Sequence, residues 1–318
     1  MSQEKSLNTP LLVITGPTAS GKTGLATQLS SKINGEIISA DSRQVFKRMD
    51  IGTGKDLFDY EVDGKKIPYH LIDICDPGDD FNLYLFQKKY AEAVDKILRN
   101  EAIPVLCGGT GLYIEAVTLK GYEEVWIPRN ETIREELYTL DLDQLLDFYK
   151  NLAPNKLAQL EGISHRERSL IRAIEIEHFL KYKPQTEYHP INFKELPTYN
   201  FALSIDKETR WNKIEKRLDE RLNEGMIEEV AALLKDIDDK KLRSYGLEYR
   251  HITEYLLGEC SYDEMRTVLL KSIQQFSKRQ MTWFRRMEKK TALNWIPVEW
   301  EMHKKMDFVL EKVEGLKF

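Results

Sequence analysis

The sequence predicts an α/β fold in which a parallel sheet is flanked by helices and carries an inserted helical subdomain. The apolar run 11–14 leads directly into a glycine loop and then into a helix. Further short apolar runs rich in β-branched residues, typical of buried strands, alternate with helical stretches. Residues 128 to about 180, in contrast, are strongly helical and charged. Because strands separated by helices pair in parallel, the flanking parts of the chain are expected to share one sheet.

Length and composition favour one large or two modest globular units, since 42% of the 318 residues are hydrophobic and 31% are charged. The first ten residues contain no apolar signal segment, and no apolar run approaches the roughly 18 residues of a membrane span. We therefore expect a cytoplasmic protein with no membrane partner. Three widely spaced cysteines argue against a disulfide framework and a zinc site. The net charge of −5 leaves a nucleic-acid partner open, because binding depends on where the cations cluster.

The glycine loop after the first strand has the pattern G-x-x-x-x-G-K-T of a phosphate-binding loop, or P-loop. Its glycines let successive backbone N–H groups face one anion, and the next helix adds the positive end of its dipole. Lys22 brings a full charge, and Thr23 offers a hydroxyl oxygen to Mg²⁺. The pattern predicts a P-loop NTPase-like sheet with a di- or triphosphate site formed by Gly16, Thr18, Ala19, Ser20, Gly21, Lys22 and Thr23, with Thr23 as the metal ligand.

Two further strands are predicted at 35–41 and 103–107. The first ends at Asp41, and the second enters a Gly-Gly turn that is followed by Thr110. Parallel sheets bind ligands at the carboxyl ends of their strands. We therefore expect Lys22, Asp41 and Thr110 to converge on one crevice.

The rest of the chain is predicted to be mainly helical, with one more strand. Prolines interrupt residues 181–199, so this stretch is predicted to be a loop or hinge. A strand at 199–205 returns to the sheet, and the tail after Asn294 has no informative pattern. Helices are expected at 85–98, 208–234, 249–257 and 262–286. The predicted domains are 1–125 for the first part of the core, 126–195 for the insertion and 196–318 for the completion of the core and the C-terminal helices.

The strand ends distinguish this site from that of common P-loop phosphotransferases, which hold Mg²⁺ with an acidic residue after a second strand. Asp41 occupies that place, but the third strand ends in glycines where an acid is expected. We interpret the phosphate site as serving a different reaction.

A more specific pattern is formed by six segments in a fixed order: 16–23, 41–46, 49–53, 70–77, 108–113 and 278–285. Three of them read D-S-R-Q-V-F (41–46), G-G-T-G-L-Y (108–113) and K-R-Q-M-T-W-F-R (278–285). On these segments the chain resembles the tRNA dimethylallyltransferases, also called tRNA isopentenyltransferases. The resemblance implies that the P-loop binds the pyrophosphate of dimethylallyl diphosphate. It also implies that the prenyl group passes to N6 of the adenosine on the 3′ side of the tRNA anticodon.

The resemblance implies roles for three residues at the reaction. Asp41 is implied to orient the adenine amine and to accept its proton; a helix cap or a group beside the Mg²⁺ is the alternative. Thr110 is implied to lie at the reaction channel, with a purely structural turn as the alternative. Arg217 matches an arginine near the pyrophosphate, where its fork suits two oxygens, although most helical arginines are simply solvated.

Local charge predicts an RNA-binding surface near the C-terminus. Residues 278–290 carry six cations against one carboxylate, with Trp283 and Phe284 between them. Such a stretch suits RNA phosphates and unstacked bases; an amphipathic helix with Trp283 in the core is the alternative. The resemblance implies that the anticodon stem-loop contacts Asp41, Ser42, Arg43, Gln44, Arg168, Arg172, Arg243, Lys278, Arg279, Gln280, Trp283 and Arg285. The chain departs from the family pattern at Ser169 and at 246–249, which affects tRNA contacts and not the chemistry.

Three other functions stay open on the sequence alone. A relative that prenylates free adenine nucleotides needs less RNA-binding surface than this chain offers. A P-loop kinase would release ADP, and a non-catalytic RNA-binding protein would not need an intact Lys22, Thr23 and Asp41. The preferred interpretation is a monomeric enzyme that uses dimethylallyl diphosphate, Mg²⁺ and tRNA.

Overall fold

The structure is a computed structural model that describes residues 9–160, 163, 165–182 and 190–313. The chain forms two compact units: Met1–Leu119 with Phe193–Phe318, and Lys120–Asn192. The boundaries predicted from the sequence, 125/126 and 195/196, lie a few residues further along. Within the described residues, no helix combines the length and the apolar character that a membrane span requires.

A parallel sheet forms the centre of the first unit. Its strands are β1 (Leu11–Thr15), β2 (Gly35–Ser39), β5 (Tyr69–His70), β6 (Ile103–Gly108), β7 (Thr198–Ser204) and β8 (Asn294–Pro297), and a separate hairpin pairs β3 (Glu61–Val62) with β4 (Lys65–Lys66). The order in space is β5-β2-β6-β1-β7-β8, and all neighbours are parallel. The predicted α/β class is therefore confirmed.

Twelve α-helices are present in the described residues, nine in the first unit and three in the second. The first unit contains α1 to α3 and α7 to α12, and the second contains α4 to α6. They are α1 (Lys22–Ile33), α2 (Leu83–Arg99), α3 (Gly111–Thr118), α4 (Glu131–Leu137), α5 (Leu142–Leu152), α6 (Glu167–Tyr182), α7 (Lys207–Asn223), α8 (Met226–Leu233), α9 (Asp239–Ser244), α10 (Leu247–Leu256), α11 (Tyr262–Met287) and α12 (Met302–Lys312).

Both faces of the sheet are covered, so its central strands are apolar throughout. Leu12 and Ile14 of β1 belong to one core cluster, and Leu11 and Val13 belong to the other. This alternation follows from the two-residue period of a strand. A strand buried on both sides therefore appears in the sequence as a continuous apolar run.

The position of β1 in the sheet fixes the place of the P-loop. Strand β1 lies between β6 and β7. The strands that follow β1 in sequence, β2, β5 and β6, all lie on one side of it, whereas β7 and β8 lie on the other side. Such a switch point leaves a crevice at the carboxyl ends of the strands. The loops after β1, β2 and β6, which carry the P-loop, Asp41 and Thr110, all open at this edge.

The two outermost strands, β5 and β8, are absent from the sequence prediction. Each is short and has a neighbour on one side only, with β5 on β2 and β8 on β7. Strands of two and four residues contain too few side chains for a period to be visible. The tail after Asn294, which has no informative pattern in the sequence, thus completes the sheet.

One predicted helix is two helices in the structure. The prediction of a continuous helix at 208–234 was wrong, because α7 ends at Asn223 and α8 begins at Met226. Gly225 between them has φ = 105°. A left-handed backbone suits glycine and ends a helix.

The second unit is a small helical body with its own core. Leu145, Tyr149 and Ile174 are buried between its helices. Inside it, Arg134 donates two hydrogen bonds to Glu175, at 2.7 and 2.8 Å. Burial raises the pKa of Glu175, but hydrogen bonds from Arg134 and a backbone N–H outweigh burial and hold this pKa below its ordinary value.

The structure describes only part of the stretch 181–199, which the sequence predicts to be a loop. Residues 183–189, including Pro184, lie outside the described residues. Residues 190–197 contain neither helix nor strand. Residues 181–182 still belong to α6, so the loop prediction was wrong there, whereas residues 190–197 agree with it up to the start of β7.

We predict that Gly108→Ala destabilises the protein by about 2 kcal/mol, because overpacked sites of this kind force backbone shifts. A Cβ at Gly108 would lie 2.3 Å from the carbonyl oxygen of Ala40, so β6 and the chain after β2 must separate. Urea denaturation measures the loss. The control is Gly24→Ala in α1, where a Cβ has no neighbour within 4 Å. Equal stability of the two variants would contradict the prediction.

Candidate active site

The P-loop lies between β1 and α1 with an unusual backbone. Ala19 has φ = 61° and Gly21 has φ = 82°. A positive φ is unfavourable for alanine and turns neighbouring N–H groups toward one point. Ser20 Oγ is buried and has no hydrogen-bond partner among the described residues. Such a conformation with an unpaired hydroxyl fits a loop that binds an anion.

Four cations lie around this loop. In the described residues Lys22 and Arg217 have no carboxylate within ion-pair distance, whereas Arg43 and Arg221 pair with Glu248 and Asp56. Burial and, among other charges, the neighbouring cations Arg217 and Arg43 lower the pKa of Lys22, against the opposing charge of Asp41. Burial and then the charge of Arg221 lower the pKa of Arg217 to about 9. Lowered pKa values in neighbouring bases show that their charges are desolvated and repel each other. An anion such as a diphosphate would relieve both effects.

Two helices from the second half of the chain, α7 and α11, hold the P-loop. The backbone N–H of Thr18 donates to Gln280 Oε1 on α11, at 2.9 Å, and Arg217 on α7 donates to Thr18 Oγ1. Gln280 Nε2 also donates to the carbonyl of Gly109, at 2.9 Å. Gln280 is 8% exposed. Although the resemblance implies that it contacts tRNA, in the structure it braces the P-loop against the turn after β6.

Asp41 and Thr110 lie close together just after the carboxyl ends of β2 and β6. Asp41 Oδ1 accepts the backbone N–H of Arg43 at 3.0 Å, and Thr110 Oγ1 accepts the backbone N–H of Ser42 at 3.2 Å. The Asp41 side chain is 18% exposed. Its bond to the second residue ahead is an Asx turn and not a helix cap. One carboxylate oxygen of Asp41 and the O–H of Thr110 remain available to a substrate.

The loop after Asp41 depends on residues that the sequence analysis did not single out. The Glu229 carboxylate accepts the backbone N–H groups of Asp50, Ile51 and Gly52 at 2.7, 2.7 and 3.0 Å. It also accepts the Tyr249 hydroxyl at 2.7 Å. The only sequence signal was the glycine-rich segment 49–55, and its partner Glu229 is too distant in sequence to be recognised.

The same loop has a second internal support. The ammonium of Lys55 is 1% exposed and donates to Asp50 at 2.6 Å and also to Asp73. Gln44 donates to the carbonyl of Gly54 and accepts from the Ser39 hydroxyl, both at 2.9 Å. Gln44 is therefore already used inside the loop, although the resemblance implies that it contacts tRNA.

The basic stretch lies on α11 with its cations outward. Lys278, Arg279 and Arg285 are exposed, whereas Trp283 is partly buried. Trp283 packs so closely on Gly111 that a Cβ there would lie 2.2 Å from its ring. The guanidinium of Arg286 lies 4.0 Å from the centre of the indole. Trp283 therefore packs inward, as in the interpretation of an amphipathic helix. Lys278, Arg279 and Arg285 face solvent, as the interpretation of an RNA-binding surface requires.

The remaining predicted tRNA residues differ in their surroundings. Arg243 pairs with Glu259, Asp239 and Glu254. In the second unit, Arg172 donates to the carbonyls of Glu124 and Ile127 and pairs with Glu175. Arg168 in the same unit is exposed. Arg172 and Arg243 therefore have acceptors within the chain, and their tRNA contacts stay predictions.

A single oxygen ligand for a metal ion is available in the P-loop. In the described part of the chain, no group of three or more His, Cys, Asp or Glu residues is arranged to hold a metal. Mg²⁺ that arrives with phosphates needs only one or two protein oxygens. Thr23, partly exposed at the start of α1, fits that requirement.

The parallel sheet, its switch-point crevice and the P-loop together define a P-loop α/β protein. A family model described as "IPP transferase" matches residues 44–287. A relative named tRNA dimethylallyltransferase 2, from Bacteroides fragilis, is 44% identical over 309 residues, 96% of this chain and 98% of that protein. A tRNA dimethylallyltransferase 1 from Azobacteroides pseudotrichonymphae is 47% identical over 91% of this chain and 93% of that protein. The chain therefore belongs to the tRNA dimethylallyltransferase family, and it is a prenyltransferase.

Solved structures agree with this assignment. The full-length tRNA isopentenylpyrophosphate transferase of Bacillus halodurans is 29% identical, with a TM-score of 0.67 over 96% of this chain and 97% of that one. A eukaryotic dimethylallyltransferase described as acting on tRNA gives a TM-score of 0.79 at 20% identity, over 97% of this chain and 82% of that one. The second comparison shows a shared fold alone. The predicted family and fold class are confirmed.

We predict that Lys22→Met raises the melting temperature of the ligand-free protein and removes most of its stabilisation by pyrophosphate. The substitution deletes a desolvated charge that neighbouring cations repel, and with it a charge that attracts the ligand. Differential scanning fluorimetry with and without pyrophosphate measures both effects. The control is Lys32→Met at the other end of α1, where Lys32 is half exposed and pairs with Asp307. This control is expected to keep the pyrophosphate shift.

We also predict that pyrophosphate affinity falls as the pH rises through about 9, the value to which the pKa of Arg217 is lowered. The sign follows because a base with a lowered pKa loses its proton, and its attraction for an anion, at a lower pH than usual. Calorimetric titration without metal between pH 7 and 10 tests this. In Arg217→Met the fall around pH 9 should be weaker; an unchanged fall would show that another group causes it.

Proposed function

We propose that this chain transfers a dimethylallyl group from dimethylallyl diphosphate to N6 of the adenosine on the 3′ side of the anticodon in tRNA, and releases pyrophosphate. The observation that carries the proposal is the meeting of two kinds of group in one crevice. The cations Lys22 and Arg217 suit a diphosphate. The Asp41 carboxylate, which faces Lys22, suits an amine that must lose a proton.

The donor end of the site acts on the leaving group. As the C–O bond of the donor breaks, negative charge grows on the departing pyrophosphate. Lys22, Arg217 and the backbone N–H groups of the loop stabilise this charge electrostatically, without needing to reorganise. Mg²⁺, held by Thr23 and the phosphate oxygens, would supply further positive charge to the leaving group.

The acceptor end of the site acts on the amine. The exocyclic nitrogen of adenine is a weak nucleophile, so a carboxylate against N6 both orients it and accepts its proton as the N–C bond forms. The Thr110 hydroxyl accepts a hydrogen bond from Ser42, which leaves its own proton free to be donated to a substrate oxygen or nitrogen. The balance is one N–C bond formed, one C–O bond broken, and a proton moved from N6 to Asp41.

The RNA-binding groups are the exposed cations of α11. Lys278, Arg279 and Arg285 can neutralise phosphates of an anticodon stem-loop. The target base must leave its stack for N6 to reach Asp41. We expect the protein to act as a monomer in the cytoplasm, where its tRNA substrate is found.

The experiment that tests the proposal incubates the protein with dimethylallyl diphosphate, Mg²⁺ and unmodified tRNA with an A-rich anticodon loop, followed by nucleoside mass spectrometry. AMP and ATP are tested in parallel. We expect a prenyl mass increment on tRNA adenosine and none on AMP. Prenyl-AMP, or ADP released from ATP, would instead show that the acceptor is a small nucleotide or that the protein is a kinase.

We predict that Asp41→Asn lowers the single-turnover rate by about 10²- to 10⁴-fold, the usual contribution of a positioned general base. An asparagine oxygen can still accept the backbone N–H of Arg43, so the turn and the binding of both substrates should remain. The matched control is Asp76→Asn, which removes an exposed carboxylate paired with Lys47 and should leave the rate unchanged. A wild-type rate in Asp41→Asn would remove Asp41 from the mechanism.

A further inference from the structure

Arg43 forms ion pairs with two carboxylates, and its guanidinium makes a hydrogen bond to only one of them. Its Nη1 donates to Glu248 Oε2 at 2.7 Å. Its Nε lies 3.8 Å from Asp41 Oδ1, beyond hydrogen-bond distance, and its backbone N–H contacts the same oxygen at 3.0 Å. The guanidinium is therefore within reach of Asp41 but is directed toward Glu248.

The partner of Arg43 comes from a distant part of the chain. Glu248 lies in the first turn of α10, 205 residues after Arg43, and its side chain is 9% exposed. The guanidinium also lies 5.7 Å from the centre of the Phe276 ring on α11. Gly246, just before α10, leaves room for this path, because a Cβ there would lie 3.0 Å from Arg43 Cδ. The loop after β2 and the start of α10 thus form a fitted site for this ion pair.

Titratable groups from several other elements of the described residues lie near Asp41. Lys22 of α1 faces it, and so do Cys107 of β6, Tyr113 of α3 and Tyr60 before β3. Burial raises the pKa of Cys107 to about 12, and it raises the pKa values of both tyrosines, so all three are neutral near pH 7. Lys22 is directed to the diphosphate in the proposed function. Arg43 is the other cation beside Asp41, and its guanidinium can approach or leave the carboxylate.

We propose that Glu248 is a positioning residue that holds the Arg43 guanidinium away from the Asp41 carboxylate and so keeps this carboxylate available to the substrate amine. The proposal rests on the proposed function, in which Asp41 accepts the proton. If the Arg43 guanidinium donated a hydrogen bond to Asp41, both oxygens of the carboxylate would be occupied. The carboxylate would also become a weaker base, because a neighbouring cation stabilises its ionised form.

The first test compares the pH dependence of the single-turnover rate in wild type and Glu248→Gln at saturating tRNA. We expect the acid limb of the profile, where the rate rises with pH, to move to lower pH by about one unit. This is the lower end of the amount by which a neighbouring arginine lowers the pKa of a carboxylate. The plateau should fall on the order of threefold, since a weaker base accepts a proton less readily. Glu254→Gln, on the same helix but paired with His251 and Arg243, is the control and should leave the limb in place.

The second test asks whether Glu248 acts through Arg43. In Arg43→Met the limb should move to higher pH, and adding Glu248→Gln to that variant should produce no further movement. A merely structural role for Glu248 would change the melting temperature or the KM for tRNA without moving the limb. An unmoved limb in folded Glu248→Gln, or an equal movement in the Arg43→Met background, would overturn the proposal. If Glu248→Gln does not fold, an unmoved limb in Arg43→Met alone would overturn it.

A third measurement separates this proposal from the proposed function. Carboxyl ¹³C NMR of aspartate-labelled, ligand-free protein follows the titration of Asp41 directly, with its signal assigned by its loss in Asp41→Asn. We expect Asp41 to titrate at lower pH in Glu248→Gln than in wild type. If this shift is seen but Asp41→Asn reacts at the wild-type rate, the role of Asp41 as proton acceptor is refuted. The positioning of Arg43 by Glu248 would still stand. No shift, with a slow Asp41→Asn variant, would refute the role of Glu248 alone.

Discussion

Positive charge gathered at the P-loop is the constraint on which the rest of the structure depends. Lys22 and Arg217 are desolvated and repel their neighbours, as their lowered pKa values show, and the loop also contains a positive φ at Ala19. Groups of this kind destabilise a folded protein unless their surroundings hold them. The supports are distant in sequence: Gln280 ties Thr18 to Gly109, and β7 returns to lie beside β1.

The carboxylates around the site are arranged consistently with this constraint. Glu229 accepts three backbone N–H groups, Glu248 pairs with Arg43, and Asp50 and Asp73 pair with Lys55. Each of them helps to hold a loop in place, and Glu229 uses both of its oxygens in doing so. Asp41 contacts only the backbone of Arg43 at hydrogen-bond distance and retains a free oxygen. The difference between a structural and a chemical carboxylate lies here in the partners that surround it.

The sequence predicted the central strands well because each is buried on two sides and is therefore mainly apolar, as in β1, β2, β6 and β7. It missed β5 and β8, whose pairing at the sheet edges depends on neighbours and not on their own composition. It also missed the break at Gly225, since one glycine inside a periodic stretch can be tolerated or can end a helix. For Gln280, a basic segment suggested an RNA contact, whereas the side chain turned inward to the P-loop.

The sequence by itself determined the chemistry that is concentrated in short segments: the P-loop, Asp41 after one strand, Thr110 after another, and the cations of α11. Local spacing carries this information because a P-loop and a strand end need only a few adjacent residues. The tertiary structure alone decided which side chains complete the site. Arg43 with Glu248, and Glu229 with the loop 50–52, meet across about 200 residues of chain. No local pattern records such pairs, because packing of α8, α10 and α11 against the loop after β2 brings them together.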